Sequence, residues 1–281
     1  MATPHNAPIL FDRTLLRARQ ARARKQGEVT FLLDRVAEDM ADRISAVKRD
    51  FADVADIWTP GEVLRPMLAD RFKSVTQVKL ESDSEVLPLT PESLDLVVSA
   101  LAFQFVNDLP GVLAQIRRAL RPDGLLLAAL CGGDTLTELR QSFAAAEAEC
   151  EGGVSPRVAP SADLRDIGHL LQRAGLALPV TDVDPVVVRY DNAFALMHDL
   201  RGMGGATNIL VERLRRPTRR ATMLRMSEIY AQRFSDPDGR IRATFDIVWL
   251  SAWAPHESQQ KPLRPGSAKA SLEAAVKGRR K

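Results

Sequence analysis

The sequence predicts an α/β protein with an open sheet that helices cover on both sides. Two apolar runs, LDLVVSAL (94–101) and LLLAAL (125–130), have the continuous hydrophobicity of strands buried on both faces. An amphipathic helical stretch separates them, and this strand–helix–strand order implies a right-handed crossover between parallel strands. A further strand signal at 243–252 follows a helical stretch, which indicates a helical insertion before the last strand.

Helical spacing and turn residues define the elements before residue 94. Thr30 can cap the second helix, in which apolar residues recur at helical spacing. The turn WTPG (58–61) ends the first strand. The expected elements, in order, are helix 10–24, helix 31–47, strand 51–57, helix 62–70 and strand 74–80.

End signals also define the helices that follow residue 101. Asp108 offers an N-cap to the crossover helix. Asp134 or Thr135 is expected to cap the next helix, which continues to about residue 149, and Ser161 and Gly175 bound the one after it. The remaining expected elements are helix 162–174, strands 176–183 and 186–190, helices 192–202 and 217–234, and strand 243–252.

Charge is distributed unevenly along the chain. The formal net charge is +3, but residues 1–25, 201–225 and 261–281 carry net charges of +5, +6 and +6, so the rest of the chain is strongly acidic. No recognised nucleic-acid motif accompanies the arginines at 213–220. We therefore predict no nucleic-acid partner, and interpret this stretch as a solvated face or a protein-docking patch.

Several protein classes are excluded by composition. No apolar run reaches the roughly 20 residues that cross a bilayer, and the N-terminus lacks the apolar region of a signal peptide. Two cysteines, Cys131 and Cys150, are too few for a disulfide framework and suggest a reducing compartment. No pair of histidines has metal-ligand spacing, so no metal site is predicted. We expect a cytoplasmic protein.

Residues 94–130 resemble the central region of class I S-adenosylmethionine (SAM)-dependent methyltransferases. They read LDLVVSALAFQFVNDLPGVLAQIRRALRPDGLLLAAL. Further segments resemble one subgroup, the mitochondrial complex I assembly-factor methyltransferase and arginine hydroxylase family. These segments are FDRTLLRARQARA (11–23), CGGDTLTELR (131–140), EGGVSPRVAP (151–160), DLRGMG (199–204) and PHESQ (255–259).

The resemblance implies a class I methyltransferase-like, Rossmann-type open sheet. The expected organisation is an N-terminal helical extension (1–47), a methyltransferase-like α/β domain (48–260) that carries a helical insertion (191–240), and a basic tail (261–281). It also implies SAM as the cofactor, held by Asp56, Asp83, Ser99 and Phe103. In the family, Asp83 corresponds to an acid that faces the adenine.

The cofactor loop departs from the family pattern. Glycines of the family's D-x-G-x-G-x-G turn let the backbone approach the cofactor closely, but Trp58, Pro60 and Glu62 occupy those positions here. The segment 72–83 is also too short for the family's strand, ribose-binding acid and helix. These departures predict a weakened or remodelled cofactor site.

Two residues are candidates for catalysis, each with a structural alternative. Asp134 follows a parallel strand, where open α/β sheets bind ligands, or it only caps its helix. His256 lies in the family's PHESQ segment and could bind substrate, or it is a structural or surface histidine. Cys131 is expected to be a buried thiol rather than a nucleophile, because no partner base can be placed beside it.

Two functional hypotheses follow from the resemblance. The first is a SAM-dependent enzyme that modifies a protein side chain, such as an arginine of an iron–sulfur subunit of NADH dehydrogenase, during complex I assembly. The second is a cofactor-free scaffold that assists the same assembly. The altered loop at 58–62 favours the scaffold, whereas the retained segments GGDTL, EGGVSPR and PHESQ favour the enzyme. Both hypotheses imply a protein partner.

Overall fold

A computed structural model describes residues 9–205 and 208–260, so the predicted basic tail lies outside the described residues. The strands are β1 (Asp53–Ile57), β2 (Ser74–Val78), β3 (Leu94–Ala100), β4 (Leu120–Gly132), β5 (Ala177–Tyr190) and β6 (Ile241–Trp253). The helices are α1 (Arg13–Gln26), α2 (Phe31–Ala46), α3 (Leu64–Arg71), α4 (Leu109–Ala119), α5 (Thr137–Glu151), α6 (Leu164–Arg173), α7 (Ala193–Gly202) and α8 (Arg220–Phe234).

The strands form one sheet in the order β2-β1-β3-β4-β6-β5. The first four strands in this order, β2, β1, β3 and β4, run parallel to one another. Strand β6 lies between β4 and β5 and is antiparallel to both. Leu96 and Val98 of β3 pack into one hydrophobic cluster, whereas Val97 packs into a second cluster. Since successive side chains of a strand point to opposite faces, the sheet has a core on each side. The predicted α/β fold class is confirmed.

The last two strands are longer than the sequence predicts. Strand signals at 176–183 and 186–190 form the single strand β5, which pairs with β6 from Ala177 to Tyr190. Pro185 lies inside this strand, in the gap between the two predicted strands. It is tolerated because β5 is at the edge of the sheet, where a missing N–H leaves no neighbouring strand unpaired.

The predicted caps of α2 and α6 differ from the structure: Thr30 holds the N-cap position of α2 without a capping bond, and Ser161 does not cap α6. Thr30 makes no capping bond, because its hydroxyl instead donates to Asp34 Oδ2 at 2.8 Å. Asp163 rather than Ser161 caps α6, where its carboxylate accepts the Arg165 N–H at 2.8 Å. The cap of α4 is as predicted, since Asp108 accepts the N–H of the third helical residue at 2.9 Å. Both differences come from an acid within four residues of the predicted cap, Asp34 for α2 and Asp163 for α6.

The segment after α7 approaches α1 closely at Gly204 and Gly205. Gly204 has φ 79°, and a Cβ added there would be 3.0 Å from the Cα of Gln20. Gly204→Ala should therefore lower the free energy of unfolding by about 1–3 kcal/mol, through backbone strain and the clash with α1. Gly175 provides a matched control, because it has the same φ but nothing within 4 Å of an added Cβ. Denaturant unfolding that gave equal losses for the two alanine variants would contradict this close approach.

Candidate active site

The end of β1 leads into a sharply turned loop. Trp58 has φ 59° and Gly61 has φ 68°, so the loop enters the left-handed region that normally favours glycine. The Trp58 N–H donates to the carbonyl of Val78 at 2.8 Å, which ties the loop to the end of β2. The backbone thus has a glycine-type conformation at a position where the side chain is tryptophan.

A cavity of about 430 Å³ opens beside this loop, at the carboxyl ends of β1 and β2. Its volume is within the range of small-molecule sites, and open α/β sheets bind ligands at this edge. Asp56 and the loop residues 58–62 line one side of it. Arg17, Gln20 and Arg24 of α1 line another. The N-terminal helix is therefore a wall of this cavity, which we call the loop cavity.

Asp56 is the buried acid of the loop cavity. Its side chain is 4% exposed, and burial raises its pKa to about 6. The Thr59 hydroxyl opposes this shift by donating to Asp56 Oδ1 at 2.5 Å. The same hydroxyl accepts the Ala100 N–H at 3.0 Å, so the acid is linked to the end of β3. Asp56 can therefore exchange a proton near neutral pH.

The raised pKa of Asp56 predicts a pH dependence of stability. The pKa is about 4 in the unfolded chain and about 6 in the folded protein, so folding binds a proton between these values. The contribution of Asp56 to the free energy of unfolding should fall by about 3 kcal/mol as pH rises from 4 to 6, and then stay constant. Asp56→Asn should remove this change. In thermal unfolding, the stability of the variant relative to the wild type should therefore increase from pH 4 to pH 6. A constant difference between the two proteins from pH 4 to 8 would contradict the shift.

Helix α1 covers the altered loop through its arginines. The guanidinium of Arg13 lies 4.4 Å from the ring centroid of Trp58 and pairs with Glu85 at 2.8 Å. The carboxylate of Glu85 also accepts the backbone N–H groups of Asn107 and Asp108, at 2.8 and 2.7 Å. This network holds α1 against the loops that follow β1, β2 and β3.

Asp83, the acid that the resemblance assigns to the adenine, also contacts α1. Arg17 pairs with it at 2.7 Å, and the Thr14 hydroxyl donates to it at 2.9 Å. The hydrogen bond from Arg17 lowers the pKa of Asp83. A cofactor at Asp83 would have to compete with these two side chains of α1.

Ser99 and Phe103 are closed into the core. The Ser99 hydroxyl is 0% exposed and donates to the Ile57 carbonyl at 2.8 Å. Phe103 is 1% exposed and packs in the same hydrophobic cluster as Trp58. Of the four residues predicted to bind the cofactor, Asp56 alone lines the loop cavity. The structure does not gather all four around one space.

A second, apolar cavity of about 110 Å³ adjoins the first. Gln20 and Pro60 line both, so the two spaces are separated by these side chains. Its other walls come from the ends of β3 and β4, from residues 158–161 and from residues 203–205. Cys131 also lines it, and burial raises the pKa of this thiol to about 12, as expected of an unreactive cysteine. We call this space the apolar cavity.

The GGDTL loop after β4 is held by β6 and not by a helix cap. The prediction that Asp134 or Thr135 caps α5 is wrong, because the capping position is Leu136, with φ 54° and no side-chain bond. The Asp134 N–H donates to Asp246 Oδ2 at 2.8 Å, and Thr135 Oγ1 accepts the Asp246 N–H at 3.0 Å. The Asp134 carboxylate is left exposed at the carboxyl edge of the sheet. The role of Asp246 in holding this loop was not predicted, although a single acid within an apolar strand is a signal in the sequence.

His256 and Asp134 lie at opposite ends of the paired strands β4 and β6. It follows the end of β6, where Trp253 pairs with Leu125 near the start of β4. Asp134 follows the end of β4 at Gly132. Gly132 is seven residue steps along the strand from Leu125, a distance of roughly 23 Å. His256 is exposed, and its Nδ1 lies 2.6 Å from the hydroxyl of the neighbouring Ser258. The two candidates therefore do not act on one substrate atom.

Glu147 anchors the EGGVSPR segment and was missed from the sequence. It is 2% exposed and accepts the Ser155 N–H and the Arg157 Nε–H, each at 2.7 Å. These bonds fix the chain immediately before Val158, which lines the apolar cavity. On sequence alone, Glu147 looks like any acid on a solvated helix face.

The described residues contain neither a candidate metal site nor a helix that could span a membrane. Within residues 9–205 and 208–260, no cluster of three or more His, Cys, Asp or Glu side chains could hold a metal ion. In the same part of the chain, no helix combines the length and the apolar character that spanning a bilayer requires.

Comparison with known proteins identifies the family. A methyltransferase-domain family model matches residues 61–128. Arginine-hydroxylase NDUFAF5, mitochondrial, is 37% identical to this chain in Rattus norvegicus, over 96% of this chain and 85% of the relative. The Homo sapiens protein is 37% identical, over 94% of this chain and 82% of the relative. Malonyl-[acyl-carrier protein] O-methyltransferase of Xylella fastidiosa is 31% identical, over 87% and 83%.

The fold agrees with these sequence matches. A solved Bacillus halodurans structure, assigned to the methyltransferases, superposes with a TM-score of 0.50 at 16% identity, covering 78% of this chain and 99% of that one. The fold and the position of the site define a class I methyltransferase-like protein. The chain belongs to the class I SAM-dependent methyltransferase-like family, within which it is similar over nearly its whole length to arginine-hydroxylase NDUFAF5.

Proposed function

We propose that this protein is an enzyme that uses SAM to modify a protein side chain. The preferred substrate is an arginine of an iron–sulfur subunit of NADH dehydrogenase, modified during complex I assembly in the cytoplasm. The observation that carries the proposal is the pair of adjoining cavities, one beside Asp56 and one apolar, which meet at Gln20 and Pro60. Such a pair offers separate places for a cofactor and for a substrate side chain. The similarity to an arginine hydroxylase supports the choice of arginine.

The loop cavity fits a SAM-type cofactor in part. Its volume and its buried acid suit a small polar molecule, and Arg24 would attract the carboxylate of that molecule. The lost glycines and the contacts of Asp83 with α1 do not match the binding mode that the resemblance implies, and Arg17 is already paired with Asp83. Asp56, Arg24 and the backbone of 58–62 are therefore the groups that would hold the cofactor. SAM, when bound, would supply an electrophilic methyl group.

The residues of this chain would position the substrate rather than react with it. Gln20 lies between the cavities, where its amide can orient a side chain that enters the apolar cavity. Leu16, Leu200 and Phe245 exclude water from that cavity. Asp56 can take up or release a proton near neutral pH, because burial raises its pKa to about 6.

Thermal unfolding with SAM tests cofactor binding. SAM at about 100 times its dissociation constant should stabilise the fold by about 2.7 kcal/mol, a rise in melting temperature of roughly 5–10 °C. ATP at the same concentration is the control for non-specific binding of an adenine nucleotide. No rise with SAM up to millimolar concentration would contradict a SAM-dependent enzyme.

One observation favours a second candidate function, a cofactor-free scaffold for the same assembly. Trp58 is covered by Arg13, and Asp83 is engaged by Arg17, so α1 makes contacts that a cofactor would otherwise make. A scaffold should bind the iron–sulfur subunit with the same affinity in the presence and absence of SAM, and should leave its mass unchanged. Enzyme and scaffold therefore differ in both the thermal shift and the mass of the partner subunit.

A further inference from the structure

A third pocket carries an excess of positive charge. It has a volume of about 470 Å³, and four arginines border it: Arg19, Arg157, Arg213 and Arg215. Its floor is apolar and includes Phe143 and Met197. No acidic side chain lines it among the described residues. We call it the arginine pocket.

Two of these four arginines are neutralised and two are not. Arg157 pairs with Glu147, and Arg213 pairs with Asp12 at 3.0 Å. Arg19 and Arg215 make no ion pair or side-chain hydrogen bond with any other residue that the structure describes. Of the two, Arg19 is half-buried and Arg215 is exposed. Because a half-buried cation without a partner is unfavourable, a bound anion would stabilise the pocket chiefly at Arg19.

The half-buried environment of Arg19 favours a bound carboxylate. Arg19 is half-buried, and burial, together with the neighbouring Arg213 and Arg22, lowers its pKa. A charge held in this environment gains more from a carboxylate than an exposed arginine does, since water screens it less. The planar guanidinium also presents parallel N–H donors that match the two oxygens of a carboxylate.

The arginine pocket lies near the apolar cavity, because several of its lining residues are close sequence neighbours of residues that line the cavity. Arg157 immediately precedes Val158, which lines the apolar cavity. On α7, Met197 of the pocket is one turn before Leu200 of the cavity, and Leu139 of the pocket lies three residues after Leu136 of the cavity, the residue that precedes α5. A chain docked in the pocket would therefore lie close to the proposed substrate site.

We propose that the arginine pocket binds carboxylates of an acidic segment of the protein substrate. The identification of this segment with the substrate rests on the proposed function, whereas the carboxylate binding does not. A peptide suits the site because its floor is apolar and its arginines can take carboxylates in pairs. A nucleic-acid strand would need aromatic surfaces for base stacking, but Phe143 is buried here, with the guanidinium of Arg157 5.7 Å from its ring centroid.

Fluorescence anisotropy of the full chain tests this proposal. The probe is a short fluorescein-labelled peptide of alternating glutamate and leucine, and the comparison probes are its glutamine analogue and a single-stranded oligonucleotide. The double variant Arg19→Gln/Arg215→Gln should weaken binding of the glutamate peptide about tenfold or more. The double variant Arg118→Gln/Arg173→Gln makes the same change of net charge at exposed residues of α4 and α6, which pack on the opposite face of the sheet from Phe143 of the pocket. This variant should stay within about twofold of wild type.

Further outcomes decide between the alternatives. Arg19→Lys/Arg215→Lys should fold like the wild type and bind with intermediate affinity, because it keeps the charge and loses the guanidinium geometry. Three results would each overturn the proposal. One is equal weakening of peptide binding by the two glutamine double variants, and another is no binding of the glutamate peptide to the wild type. The third is a larger loss of affinity for the oligonucleotide than for the peptide in Arg19→Gln/Arg215→Gln. The assay contains no SAM and needs no turnover, so failure of the proposed enzyme activity would leave its result unchanged.

Discussion

Glu147→Ala should lower the free energy of unfolding by about 3–5 kcal/mol, the typical cost of removing one partner of a buried ion pair. Glu147 is 2% exposed, and it accepts hydrogen bonds from the backbone and hydroxyl of Ser155 as well as from Arg157. The variant leaves the guanidinium of Arg157, itself mostly buried, without its carboxylate. For a chain of this length, the loss corresponds to a fall in melting temperature of about 10 °C.

Glu149→Ala is the matched control on the same helix. Glu149 is exposed and pairs with Arg225 at the surface, so its removal should change the melting temperature little. The double variant Glu147→Met/Arg157→Met should recover part of the loss, because it removes the uncompensated charge. Equal losses for Glu147→Ala and Glu149→Ala would contradict the role of Glu147 as the anchor of the EGGVSPR segment.

Trp58→Ala should lower the free energy of unfolding by about 3–5 kcal/mol, since it removes a buried aromatic ring. Trp58→Gly should cost about 1 kcal/mol less than the alanine variant, which reverses the usual order of these residues. The reason is the φ of 59°, which glycine adopts freely and alanine does not. Denaturant unfolding of the two variants measures this order, and a glycine variant less stable than the alanine variant would contradict it.

The same glycine variant also tests the cofactor site. It restores a glycine at a position where the family has one, and it removes a ring that borders the loop cavity. The rise in melting temperature with SAM should therefore be at least as large in Trp58→Gly as in the wild type. A rise that disappeared in the variant would instead assign the Trp58 ring to the cofactor site.

The fold was predictable because its signals are local. The apolar run at 94–101 and the capped amphipathic helix that follows it correspond closely to β3 and α4. The predicted cap of α5 was wrong because Gly133 and Leu136 both have positive φ, and the Asp246 carboxylate of β6 accepts the N–H of the intervening Asp134. That contact joins residues more than a hundred positions apart, which no local pattern contains.

The site was predictable only in part. The resemblance assigns Asp56 to the cofactor, and in the structure this residue lines a cavity at the end of β1. The contacts of Asp83 with Thr14 and Arg17 were not foreseen, because the basic N-terminal helix gives no sign of where it packs. Glu147 was missed for a similar reason, since burial distinguishes it from the other acids of α5 and the sequence does not.

The central claim is that this protein modifies an arginine of a protein partner. Mass spectrometry of the iron–sulfur subunit of NADH dehydrogenase tests it most directly, with the subunit purified from cells that contain or lack this gene. We expect one arginine that is heavier by a methylene group when the gene is present, the mass that methyl transfer from SAM adds, and this arginine should lose the mass when the gene is deleted and regain it on complementation. A gain of one oxygen atom would contradict methyl transfer, because hydroxylation needs an oxidant that SAM does not supply. An arginine of the same mass in all three strains would contradict the enzyme and leave the scaffold.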